Sequence, residues 1–143
     1  MPGGSLGTLL EEAVRRIRSR YRVELIILHG SYAKGTYVEG LSDVDLLVVS
    51  DDFEGVPMGE RLSSLAELLA GMEVPVEAVG LTRREFLGGL RSFNPLVLDS
   101  LEYGVPLYDR GLYREALQEF EGLKRRGLRR IRDGWDLSAL APT

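Results

Sequence analysis

Apolar residues recur at helical spacing in the opening segment SLGTLLEEAVRRIRSRY, where Leu6, Leu9, Leu10, Ala13, Val14 and Ile17 share one stripe and Arg and Glu fill the other. Ser5 stands where an N-cap is expected. The period then changes. VELIILHG reads as a buried strand ending in glycine, YAKGTYVEGLS as a polar loop, and DVDLLVVS as a second buried strand. FEGVPMGE connects to an amphipathic helix, RLSSLAELLAGM, stopped by Gly71, and VPVEAVGL follows as a third strand whose Pro75 suits an edge or strand entry.

Two further helices have explicit start signals: Thr82 with Glu85 three residues on, a capping box, and Asn94 followed by Pro95, with Gly104 as the stop. VPLYD predicts a short last strand and LYREALQEFEGLKRR a final helix with a basic tail. Helices and strands alternate only loosely in the order αββαβααβα. That predicts an α+β fold, a mixed sheet with helices packed on it, rather than a regular doubly wound sheet.

Composition narrows this picture modestly. The 143 residues, 44% hydrophobic and 28% charged, suffice for one domain with a real core. No apolar run reaches the ~18–20 residues of a membrane span, and no signal-peptide pattern opens the chain. With no cysteine, disulfides and thiolate metal sites are excluded, and a cytoplasmic enzyme is the expectation.

Charge divides the chain. Residues 124–143 hold six basic and two acidic residues, which leaves −8 of the net −4 on residues 1–123. The expected organisation is therefore a catalytic body over 1–123 and a basic helix end and tail over 124–143. An acidic body argues against broad nucleic-acid binding.

The candidate chemistry lies in HGSYAKGTYVEGLSDVDLLVVS. Gly30 and Gly35 have the spacing of a Walker-type loop, but the lysine that should follow the second glycine is missing. A calcium loop fails too, because the acidic residues open a hydrophobic strand. Asp43 and Asp45, two apart in a strand, point to one side while Val44, Leu46 and Val48 point to the other. Like charges at the mouth of a buried strand are costly and call for a compensating cation. Glu77 is the lone charge of the third strand. If that strand neighbours the second, three carboxylates converge into a set suited to Mg²⁺, and two such ions ~3.5–4 Å apart would clamp an in-line phosphoryl displacement. Gly30 and Ser31 then suit phosphate, with a short helical turn over residues 31–35 offering N–H groups and Lys34 a charge.

The stretch GSYAKGTYVEGLSDVDLLVV resembles the Gly-Ser…Asp-x-Asp signature of nucleotidyltransferases that share the DNA polymerase β palm, and at this length the minimal nucleotidyltransferases of archaea and bacteria. The likeness runs from about residue 10 to residue 115. Eleven residues separate Ser31 from Asp43, one more than the family commonly has, which an insertion near Glu39 and Gly40 would absorb.

The resemblance implies the polymerase β palm-like fold, Gly30 and Ser31 on the nucleotide phosphates, and Asp43 and Asp45 as metal ligands. Glu77 would complete the metal site or help deprotonate the acceptor. It further implies transfer of an NMP, by expectation AMP from ATP, to a hydroxyl on a HEPN-type partner protein in a toxin–antitoxin module. The alternatives are a non-catalytic binding antitoxin, and a nucleotidyltransferase acting on an antibiotic or metabolite.

Other residues receive plainer readings. His29 is read as a satisfied strand-end histidine, Tyr32 and Tyr37 as packing against the sheet, and Asp51 and Asp52 as a solvated turn. Asp99 and Glu102 are placed on the polar side of their helix. KRRGLRRIRDGW is read as a solvated helix end or a protein-partner surface in preference to an RNA site, with cations favoured near a helix C-terminus. Trp135, Leu137 and Leu140 suit packing across a homo-oligomer or partner interface.

Overall fold

The computed structural model describes residues 5–140. Its elements are α1 (Leu6–Arg20), β1 (Leu25–His29), α2 (Gly30–Lys34), β2 (Val44–Val49), a 3₁₀ turn (Asp51–Phe53), α3 (Met58–Leu68), β3 (Val76–Leu81), α4 (Arg83–Arg91), α5 (Pro95–Tyr103), β4 (Val105–Asp109), α6 (Leu112–Arg125), β5 (Arg129–Ile131) and β6 (Gly134–Asp136). The main sheet runs β3-β2-β1-β4; β1 is antiparallel to β2 and β4, and β2 is parallel to β3. The fold is thus the mixed-sheet α+β fold that the periodicity predicts.

Period-2 alternation builds the layers. Ile26, Leu28, Val44, Leu46, Val48 and Ala78 pack under α1 and α3 through Leu9, Ala13, Ile17, Leu65 and Leu69. Leu25, Ile27, Leu47 and Val49 face the other way, onto Phe86, Leu90, Val97, Leu98, Leu101, Ala116 and Phe120 of α4, α5 and α6. Strand β2 is therefore covered on both sides, which is why it reads as the unbroken run LLVV. Each such side chain contributes roughly 1.5–3 kcal/mol on burial, enough for the sheet to tolerate acids at its end.

The cap signals hold at atomic detail. Ser5 accepts from the Thr8 N–H, Thr82 and Glu85 form a reciprocal capping box, and the Asn94 side chain accepts from Leu96 N–H with Pro95 at the first helical position. Pro75 leads into β3, an edge strand, and Pro106 lies in β4 on the opposite edge, beside a bulge between Ile26 and Ile27.

Four expectations are corrected. The tail behind α6 is a hairpin, β5 paired antiparallel with β6, with Arg132 and Asp133 at its turn. Trp135 and Leu140 fold back onto the core of their own chain, because burying them there removes more apolar surface from water than a solvated tail would. Asp51 and Asp52 are exposed but not merely solvated: their carboxylates accept the Arg83 and Arg22 backbone N–H groups at 3.0 and 2.7 Å. Asp99 and Glu102 are half-buried and partnered. Asp99 accepts the Trp135 indole N–H at 2.9 Å, and Glu102 accepts from Lys124 at 2.9 Å.

Candidate active site

Sheet register assembles the site. His29 of β1 stands opposite Asp45 of β2, and Asp45 stands beside Glu77 of β3. Register partners on neighbouring strands, about 4.8 Å apart, carry their side chains to one face. The three residues thus form a row across the end of the sheet, on the face that further along buries Leu47, Val49, Val79 and Leu81 against α4, α5 and α6. Asp43 precedes Asp45 by two residues and acts on the same carboxylate. The sequence-predicted acids are therefore neighbours, with Asp45 half-buried and Asp43 and Glu77 exposed.

Burial raises the Asp45 carboxyl above its usual range, and the negative charges of Glu77 and Asp43 push it further up, against the opposing pull of His29. None of the three acids has an ion-pair partner among the described residues. As posed, the side chains do not close around a point: among the described residues no group of three His, Cys, Asp or Glu has the arrangement of a metal-ligand set. What fits a divalent cation is the chemistry of the donors, hard carboxylate oxygens that repel one another and that no Lys or Arg pairs with among the described residues.

Next to the row the chain makes the expected turn. Helix α2 begins at Gly30 and ends at Gly35 in the left-handed region, where the Gly35 and Thr36 N–H groups both return to the Ser31 carbonyl. Gly30 itself has φ +72°, and a Cβ there would stand within the van der Waals shell of the Asp45 carboxylate. Only glycine lets the turn and the acid row come this close. A Gly30→Ala variant is accordingly expected to fold with backbone strain of about 1–2 kcal/mol, read as a lower melting temperature. A wild-type melting temperature in a purified Gly30→Ala protein would contradict this geometry.

Lys34 points toward α5 rather than into the row. Its ammonium lies 4.8 Å from the centre of the Tyr103 ring, and its side chain is exposed. Tyr32 and Tyr37 stack on each other, with ring centres 4.3 Å apart and planes within 8°; Tyr32 also packs on the core beneath α1.

His29 corrects its plain reading. Its Nε2 is buried and has no hydrogen-bond partner among the described residues. Burial holds the imidazole below its usual range although Asp45, Asp99 and Glu77 all pull the other way. Asp99 and Tyr103 on α5 also border the site and are absent from the sequence reading of it. Their i, i+4 spacing, which puts both on one helix face, is the signal that could have found them.

The class follows from this fold and from a family likeness that spans most of the chain. The family model described as "Nucleotidyltransferase domain" matches residues 10–123, and the chain belongs to that family. Its kin are more specific. Two proteins of Methanocaldococcus jannaschii bear the name "Putative protein adenylyltransferase". MJ0604 is 48% identical over 50 residues, 33% of this chain and 49% of that protein. MJ1305 is 31% identical over 110 residues, 73% of each chain.

Among solved structures, a toxin–antitoxin MntA-HpeT mutant carrying two aspartate-to-glutamate changes superposes with TM-score 0.56 at 18% identity, over 81% of this chain and 86% of that one. A toxin–antitoxin structure with AMP-PNP superposes with TM-score 0.51 at 21% identity, over 81% and 90%. At these identities the structural likeness establishes the fold, the polymerase β-like one that the sequence resemblance implied.

Proposed function

We propose that the protein transfers AMP from ATP to a hydroxyl group on a partner protein. The observation that carries this is the row Asp45–Glu77, with Asp43 beside it, left without a counter-cation against a turn that Gly30 alone can make. The bond between the α-phosphorus and the bridging oxygen breaks, pyrophosphate leaves with that electron pair, and the acceptor oxygen forms the new phosphorus–oxygen bond. Asp43, Asp45 and Glu77 are the residues that would hold Mg²⁺, which when bound supplies charge stabilisation at the phosphate oxygens.

The rest is the work of the chain itself. Gly30 brings backbone close to the phosphates and Ser31 offers its hydroxyl. Lys34, in no ion pair among the described residues, supplies positive charge from the α5 side. Glu77, exposed at an edge strand, is placed to receive the acceptor proton. A protein acceptor is supported by the names of the Methanocaldococcus relatives, and a toxin–antitoxin partner by the structures of like fold; a HEPN-type partner in particular is what the sequence resemblance implies.

A second reading, an antitoxin that neutralises its partner by binding alone, is favoured by the open spacing of the acids. One experiment separates the two. The chain is incubated with ATP, Mg²⁺ and the protein encoded beside it, and intact masses are recorded. An AMP increment on the partner is expected. An unmodified partner that is nonetheless held and silenced would establish the binding reading instead.

Among the described residues no helix is long and apolar enough to cross a bilayer.

A further inference from the structure

Among the described residues eight large apolar side chains are strongly exposed, and three of them, Tyr37, Val38 and Leu41, fall within five positions of the loop that joins α2 to β2. Val38 is 54% and Leu41 81% exposed. The other five are spread over α3, β4, β5 and the segment behind β6. Single exposures of that kind are ordinary, whereas a cluster needs a cause. Water satisfies an exposed charge, but it does not satisfy an exposed apolar surface.

The loop holds these side chains in place beside the candidate site. The Leu41 and Ser42 N–H groups both donate to the Val38 carbonyl, at 3.0 and 2.9 Å, and the Val38 N–H donates to the Ser42 hydroxyl at 2.8 Å. Val38 and Leu41 are thus the first and last residues of one tight turn. Tyr37, stacked on Tyr32 of α2, fastens the front of the loop to the glycine turn. At its far end stands Asp43. Leu41 precedes that acid by two residues, a span of at most about 7 Å along the chain. A protein that delivers a hydroxyl to the acids therefore covers this turn.

Charge decides what kind of surface fits it. Residues 35–45 contain Glu39, Asp43 and Asp45 and no Lys or Arg, and Glu39 lies exposed within the turn itself. A second copy laid face to face would set these acids against their own images. A nucleic acid would bring phosphates to the same acids. An apolar face with a rim of Lys or Arg meets both the side chains and the charge.

We infer that Val38 and Leu41, with Tyr37 at their base, form a docking lip for the acceptor protein, and that the face it takes is apolar with a basic rim. This rests on the reading above that the acceptor is a protein.

The test uses two fluorescein-labelled peptides with lysine at both ends. One carries a central tyrosine flanked by leucines, the other the same tyrosine flanked by serines. The full wild-type chain is expected to bind the leucine peptide roughly tenfold or more tightly than the serine peptide. The V38S/L41S variant should bind the two alike, with wild-type melting temperature and wild-type affinity for an ATP analogue. No preference in wild type, or a preference that survives in the variant, would overturn the inference. So would weaker binding of the ATP analogue by the variant, which assigns the turn to the nucleotide. A wild-type dimer in sedimentation that the variant dissociates would give the turn to a second copy instead. Tighter wild-type binding to a single-stranded RNA than to the leucine peptide would give it to nucleic acid.

The two readings fail separately. A leucine-peptide preference that depends on Val38 and Leu41, with no AMP transfer to any hydroxyl, removes the transfer reading and leaves the docking lip. AMP transfer to the protein encoded beside the chain, with an unchanged acceptor KM in the variant, removes the docking lip alone.

Discussion

Replacing Asp45 with asparagine is expected to reduce AMP transfer by at least about 100-fold, some 2.7 kcal/mol of transition-state stabilisation, while raising the melting temperature. Both effects have one cause. Asp45 is half-buried, and burial first, then Glu77 and Asp43, disfavours its ionised form. A carboxyl whose folded-state pKa lies above its unfolded value weakens the fold once both states are ionised. Its favourable contribution belongs to the protonated form and is lost as pH rises through the folded pKa. Asparagine keeps the shape, stays neutral and removes that penalty, along with the negative charge that the proposed chemistry requires. Turnover and thermal melts near neutral pH check the pair of outcomes. An Asp45→Asn protein that is less stable than wild type would mean that something in the chain already compensates the acid.

Arg61→Ala is expected to cost about 3–5 kcal/mol, a fall of roughly 10 °C in melting temperature, far from the site and with no change in nucleotide chemistry per folded molecule. Arg61 is only 6% exposed. Its Nε donates to the Val56 carbonyl at 2.7 Å, and one terminal nitrogen donates to the Gly80 carbonyl at 3.0 Å and to Glu85 at 2.6 Å. The other donates to Glu85 at 3.2 Å. Alanine orphans two carbonyls and a carboxylate at once.

The same contact sets a pH response. The Arg61 hydrogen bond, aided by the Thr82 cap, holds the Glu85 carboxyl down to about 2. Stability from this group is full above the usual glutamate value and drains away as pH falls toward about 2. Glu85→Gln should flatten that stretch of the melting-temperature profile. An unchanged acid limb would show that Arg61 acts through packing on Phe53, whose ring lies 5.7 Å away, and not through charge.

How far the chain announces these features differs from residue to residue. Asp43 and Asp45 are legible because a period of two fixes their shared side whatever the sheet does. Glu77 is legible as an oddity among valines, but a one-residue slip of β3 would have sent it to the opposite face. The hairpin carried little sign: its two-residue turn is Arg132-Asp133, with Gly134 already opening β6, not the Asn-Gly or Asp-Gly pair that marks a tight hairpin. Arg61 carried none: at the start of an amphipathic helix it is indistinguishable from a solvated arginine.

The sequence by itself determined the long helices, the four strands of the main sheet, the Ser5, Thr82 and Asn94 caps, the oxygen-donor character of the candidate acids and the family, because these depend on residues a few positions apart. The tertiary structure alone decided that His29, Asp45 and Glu77 form one row, that Gly30 abuts Asp45, that Arg61 is buried, and that the basic tail returns to α5. Each of those depends on which distant segments share an edge or a core. That choice is made by the apolar area the whole fold removes from water, a sum to which no local window of residues has access.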